Sequence, residues 1–172
     1  MKEINLTQGQ FTLVDDEDYK YLMQWKWQAK KNCNGYYAIH SYYAGKINNK
    51  KIYKYISMHN LIIKPPKGMQ CDHVFHNTLD NRKFIEIDGI MKPNLRICTT
   101  QQNNCNKTSI GKSKYLGVGF SYKNSYKQIQ VRISSNRKRI YLGTFKTEED
   151  AAKAYDKKAL ELHGEFANLN FK

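Results

Sequence analysis

The sequence predicts an α+β protein of two small modules, and three observations carry that reading. Apolar residues fall in short strand-like alternations, while only Thr147 to Gly164 shows a long helical stripe. The polar stretch 107–113 has linker composition and separates the two regions. Charge also changes there: residues 1–106 carry 15 Lys and Arg against 9 Asp and Glu, whereas residues 107–172 carry 14 against 6. With 172 residues, the chain has room for one domain or two small ones.

Taken in order, Glu3 to Val14 reads as two short strands around a turn at Gly9. Asp15-Asp16-Glu17-Asp18 then opens a short helix, with acids at the end where the macrodipole favours them. Tyr21, Leu22, Trp25 and Trp27 supply its apolar contacts. Tyr36–Tyr43 and Lys51–Met58 are β-rich and make a hairpin across a turn at Gly45–Asn49. Pro65-Pro66-Lys67-Gly68 breaks the chain, Met69–Val74 resumes as a strand ending in Asp72-His73, and Thr99–Asn106 forms a short polar helix.

Beyond the linker, Tyr115–Ser121, Gln128–Ser134 and Arg139–Phe145 alternate as three strands, with a turn at Ser134–Arg137. Leu116, Val118, Phe120, Ile129, Val131, Ile133, Ile140 and Leu142 share the buried face. A helix follows, with Thr147 as N-cap, Asp150 as its reciprocal partner and Gly164 as its stop. Its stripe of Ala151, Ala154, Tyr155, Ala159 and Leu162 is mostly small, so it can lie close on one sheet face and leave the other open to a partner.

Composition narrows the function. The longest aliphatic run is Leu61-Ile62-Ile63, far from the roughly 20 residues of a membrane span, and no apolar stretch follows Met1, so an intracellular, non-secreted protein without a membrane partner is expected. Cys33, Cys71, Cys98 and Cys105 form no Cys-x-x-Cys pair, so neither a zinc site nor a disulfide frame is expected. A net charge of +14 with 13 Tyr, 7 Phe and 2 Trp suits a polyanion, with nucleic acid the leading class. Ten Lys and Arg and no acid lie between Lys107 and Lys146, while all six acids of the second region follow Thr147.

Tyr115-Leu116-Gly117-Val118, Tyr141-Leu142-Gly143-Thr144-Phe145, the run Glu148 to Asp156 and Leu169-Asn170-Phe171 occur in order over residues 114–171. Together they resemble the APETALA/ethylene-response-factor DNA-binding domain. The resemblance implies a three-stranded antiparallel sheet packed on one helix, its exposed face entering the DNA major groove. By position, the contacts fall on Gln130, Arg132, Arg139, Tyr141 and Thr144, with Tyr155 reaching a phosphate from the helix. Two family arginines of the first strand fall on Leu116 and Gly119, and a tryptophan falls on Lys123. Exposed Arg132 and Arg139 can each pair bidentately with guanine, and lysines such as Lys123 and Lys138 can hold phosphates.

The first region holds an ordered polar set: Asp72-His73, Asn77, Asp80-Asn81-Arg82, Asn94-Leu95-Arg96 and Gln102-Asn103. An Asp and an Asn offer hard oxygens to Mg²⁺ or Mn²⁺, and an imidazole can deprotonate a water. The set resembles the HNH endonucleases, in particular the freestanding and intron-encoded homing enzymes of phages. Leu6-Thr7-Gln8-Gly9, Val14 to Tyr19, Trp25-Lys26-Trp27 and Met58-His59 carry the likeness over nearly all of residues 5–106.

That resemblance implies a ββα-metal module with its motif core at 69–106. In it His73 is the base, Asn94 orients His73 and shapes the loop, and Asp72 and Asn103 hold one divalent ion. The chain departs from the pattern at Phe75-His76, where a tight Gly is usual, and at the eleven residues Lys83–Pro93, read as an inserted surface loop. His40 and His59 read as packing or structural residues, while His76 lies near the metal positions. The reading is a monomeric endonuclease on double-stranded DNA, in the host cytoplasm or nucleoid. The alternative is a DNA-binding regulator that keeps the fold without the chemistry. Structured RNA fits less well, because Tyr141 is the sole stacking aromatic on the exposed sheet.

Overall fold

A computed structural model describes residues 1–32, 35–106, 112–123 and 126–171, with Lys123 described in its backbone only. Among these residues the chain forms twelve strands, in several small antiparallel sheets, and four α-helices. It divides into two compact units, Met1–Thr99 and Thr100–Lys172. No described helix is long and apolar enough to cross a membrane.

The first unit begins with β1 (Lys2–Asn5) and β2 (Phe11–Val14), paired antiparallel around the turn at Gly9. Helix α1 (Asp16–Leu22) follows, with three acids in its first turn as its macrodipole favours. Strands β3 (Gln28–Asn32), β4 (Gly35–Ile47) and β5 (Lys50–Ser57) form a meander. Helix α2 (Met58–Ile63) closes it, ending on left-handed Lys64 just before Pro65. Ile4, Leu6, Val14, Leu22, Trp27 and Met58 form the centre of the core. The Trp27 indole donates to the Leu22 carbonyl at 2.8 Å, satisfying its one polar atom inside that core.

Three expectations change here. Strand β3 is absent from the sequence reading, because Gln-Ala-Lys-Lys-Asn shows little apolar alternation; only Ala29 is buried. The hairpin is longer than expected, with its turn at left-handed Asn48 and Asn49, while Gly45 lies inside β4 at a register shift with φ +119°. A bulge needs such a glycine, so Gly45 bends a strand without ending it. The stretch Lys83–Pro93 is no irregular loop. Within it, β7 (Phe84–Ile87) and β8 (Ile90–Pro93) form a hairpin across Asp88-Gly89, both at positive φ.

Strand β6 (Gln70–His73) pairs antiparallel with β9 (Leu95–Cys98). The ββα module expected at 69–106 calls for two such strands there. The helix that follows, α3 (Thr100–Cys105), groups by its contacts with the second unit.

In the second unit β10 (Val118–Lys123), β11 (Tyr126–Ser135) and β12 (Lys138–Phe145) form an antiparallel sheet in that order, packed on α4 (Glu148–His163). Val118, Val131, Ala151 and Ala152 make the core. Residues 107–111, most of the expected linker, lie outside the described residues. The hairpin turn is tighter than read, at left-handed Asn136 and Arg137, so Ser134 and Ser135 belong to β11. Thr147 Oγ1 accepts from the Asp150 amide at 3.1 Å and caps α4. Gly117, at φ +72°, admits no side chain, because a Cβ there would stand 2.0 Å from the Tyr155 ring.

The closing motif Leu169-Asn170-Phe171 has a mechanical role. Buried Asp156 accepts from the backbone amides of Asn170 and Phe171 at 2.8 and 2.9 Å, and Asn170 Oδ1 accepts from the Leu116 amide at 2.6 Å. The end of the chain is thereby clasped to α4 and to the start of the sheet.

Candidate functional site

The register of β6 and β9 sets Asp72 opposite Arg96 and His73 opposite Leu95, bringing together residues that the hairpin insertion separates in sequence. Asp72 and His73 are only 6% and 5% exposed. Arg96 donates to Asp72 Oδ2 from Nε at 3.1 Å and from Nη2 at 2.9 Å. A carboxylate buried this deeply requires such a partner.

The loop 79–82 is pinned by β2. The Leu13 amide donates to the Leu79 carbonyl at 2.9 Å, and the Asn81 amide donates to the Leu13 carbonyl at 2.8 Å. Thr12 Oγ1, fully buried, donates to the Leu79 carbonyl at 2.6 Å, so it accepts from Asn81 Nδ2 at 2.7 Å. That network turns Asn81 Oδ1 toward His73 Nε2, 3.2 Å away. An amide oxygen only accepts, so Nε2 carries the proton and the lone pair of neutral His73 sits on Nδ1. Burial holds His73 below the ordinary imidazole range, against the Asn81 bond and the charges of Asp72 and Asp80.

Asn94, fully buried, donates through Nδ2 to the carbonyls of Asp80 and Arg82, both at 2.9 Å, while its Oδ1 is sealed with no hydrogen-bond partner among the described residues. It shapes the loop, and the bond that orients His73 through Nε2 comes from Asn81. The His59 and Tyr37 rings stand edge-on to His73, with centroids 4.9 and 6.1 Å away. Neither Asn81 as orienter nor His59 as neighbour was assigned from the sequence. The Asp-Asn-Arg run was the available signal for the first.

Asn103 lies on α3, so the two residues expected to hold a metal fall in different units. Among the described residues no group of three or more His, Cys, Asp or Glu could hold a metal ion. His76 follows β6 in a left-handed turn, its amide donating to the His73 carbonyl at 3.2 Å. His40 Nδ1 meets the Lys26 carbonyl at 3.0 Å, a structural contact. Cys71 and Cys98 are buried free thiols, and burial, with nearby Cys98 and Asp72, pushes Cys71 up to about 12.

In the second unit Arg132, Arg139, Tyr141 and Thr144 are exposed and Gln130 is half-buried, while Val131 and Ile133 point into the core. Strict alternation would set Thr144 on the face opposite Tyr141. The pairs Val131↔Gly143 and Arg132↔Tyr141 leave Leu142 as an extra residue, and this bulge returns Thr144 to the outer face, where its Oγ1 lies 2.6 Å from the Tyr141 hydroxyl. Arg132 Nη2 donates to Gln130 Oε1 at 3.1 Å. Lys138 is exposed at the start of β12, and the Lys123 side chain lies outside the described residues. Tyr155 is half-buried against Gly117, and burial, then Cys105 and Asp156, raises its hydroxyl above the usual range and keeps it a donor.

No family model matches the chain. Over 164 residues it is 33% identical to an uncharacterized HNH endonuclease of Acanthamoeba polyphaga mimivirus, covering 94% of this chain and 75% of that protein. A shorter likeness spans 63 residues, 37% of this chain. It is 41% identical to an ethylene-responsive transcription factor of Arabidopsis thaliana and to an AP2-like ethylene-responsive transcription factor of Oryza sativa subsp. japonica, covering 15% and 10% of those proteins.

Proposed function

Because the chain belongs to the HNH endonuclease family, we propose that it is a metal-dependent, homing-type endonuclease that hydrolyses phosphodiester bonds in double-stranded DNA. The observation that carries this reading is His73, a buried imidazole beside Asp72 whose Nε2 is tied to Asn81, so that its lone pair lies on Nδ1, the nitrogen that would take a proton from a water. His73 takes the proton as the water oxygen bonds to phosphorus and the bridging P–O bond breaks. Asn81 keeps the imidazole in the reactive tautomer, and Asn94 keeps the loop around it in place.

Asp72 and Asn103 would hold Mg²⁺ or Mn²⁺. Their donors are hard oxygens, as such an ion requires. The ion, when bound, supplies positive charge for the departing oxygen. On the second unit, Arg132, Arg139 and Gln130 read base edges while Tyr141, Thr144, Tyr155, Lys123 and Lys138 hold the backbone. The likeness to plant transcription factors and the exposed basic sheet support this division of labour.

One observation favours a second reading, a non-catalytic DNA-binding regulator: Arg96 already balances the charge of the Asp72 carboxylate without a metal. Incubating supercoiled plasmid with the full chain in Mg²⁺, Mn²⁺ or EDTA separates the two. Nicked or linear products that need the metal support the nuclease. Tight binding with no cutting in either metal supports the regulator.

A further inference from the structure

His59 is the least explained polar side chain near His73. It lies on α2, is 8% exposed, and its ring stands edge-on to His73 at 4.9 Å and 80°, and to Tyr37 at 5.8 Å and 65°. Among the described residues neither of its ring nitrogens makes a hydrogen bond. A buried imidazole without a partner costs free energy that Phe or Leu would not, so packing alone does not account for a histidine here. Its nitrogens are not among the sealed polar atoms of the described residues, so a buried ring keeps its polar edge open to the surface, against the ring of the proposed base.

We infer that His59 is a second catalytic histidine, whose ring N–H donates a hydrogen bond to a non-bridging oxygen of the phosphodiester that His73 addresses. This rests on the nuclease reading and adds a substrate contact to it. No proton is transferred: the bond holds the phosphate in position and strengthens as negative charge grows on its oxygens. Burial and the adjacent His73 push the His59 imidazole down to about 3, which keeps it a neutral donor. The edge-on trio with Tyr37 fixes the angle at which both imidazoles meet the substrate.

The test compares His59→Phe, which keeps a ring, with His59→Asn, which keeps an N–H donor, both in the full chain. Single-turnover cleavage of supercoiled plasmid in Mg²⁺ should fall about 100-fold in His59→Phe, the scale for losing one such donor, while affinity for a short duplex in EDTA stays within about twofold. His59→Asn should recover part of the lost rate. His59→Phe cutting at the wild-type rate would overturn the inference, as would His59→Asn cutting no faster than His59→Phe. Should either variant fail to fold, the ¹⁵N-labelled wild type decides: the His59 ring N–H resonance must shift when a duplex is added in EDTA, and an unchanged resonance overturns the contact. A wild type that cuts in no metal overturns the nuclease reading instead, and the resonance still decides whether His59 meets DNA.

Discussion

Asn81 fixes which nitrogen of His73 is basic, because the Thr12 hydroxyl donates its proton to the Leu79 carbonyl, with Met58 Sδ as a second, more distant acceptor, and is left to accept from Asn81 Nδ2. Long-range ¹H–¹⁵N spectra of the free protein near neutral pH should therefore show His73 as the Nε2–H tautomer, and Asn81→Ala should lose that preference. A native His73 protonated at Nδ1 would break this account of the base. Acid sensitivity follows from the same buried cluster. Unfolded, His59 takes a proton near 6.5, but the folded protein refuses it until about 3, so stability present above pH 6.5 is lost as the pH falls toward 3. By pH 5 the loss is about 2 kcal/mol from His59, with His73 adding in the same direction. Urea unfolding at pH 7 and pH 5 should show it, and His59→Phe should flatten the difference. Asp72-His73 was legible because the two types adjoin at the end of a strand signal. Asn81 and His59 were not, since their roles depend on pairings that bring β2 to the loop 79–82 and α2 to β6, which no local pattern encodes.

At the scale of elements, the β7–β8 hairpin is a projection with a closed neck: the Asn94 amide donates to the Lys83 carbonyl at 2.8 Å. Replacing Phe84–Pro93 with Gly-Gly should leave that bond and the first unit intact, with a thermal midpoint within a few degrees. Unfolding would show that the hairpin belongs to the core and that Asn94 is wrongly assigned to the motif. Its sequence carries the signal, an Asp-Gly pair between Phe-Ile-Glu-Ile and Ile-Met-Lys-Pro, but the pair lies inside a departure from the motif spacing, which by itself is equally compatible with a loop. The second unit was more legible, because its strands alternate and Thr147, Asp150 and Gly164 mark both helix ends. The bulge at Leu142 was not, since one extra residue in a ladder leaves no mark on composition. It nonetheless decides that Thr144 shares a face with Tyr141.

For the whole molecule, the acid-free run from Lys107 to Lys146 should make the second unit the main source of the proposed DNA affinity. With about five or six phosphates neutralised, log K should fall against log salt with a slope of roughly −5. Lys138→Ala should flatten that slope by about one unit on every sequence, whereas Arg132→Ala and Arg139→Ala should each cost about 1–3 kcal/mol on a preferred site and less on random DNA. Equal losses on both would mean that the sheet grips only the backbone. The most direct test of the central claim, that a base at His73 cuts DNA held by this chain, is single-turnover cleavage of supercoiled plasmid in Mg²⁺ by wild type and His73→Ala, with duplex affinity measured in EDTA. The account predicts a rate lower by about 10² to 10⁴ in the variant at nearly unchanged affinity. Cleavage by His73→Ala at the wild-type rate would contradict it.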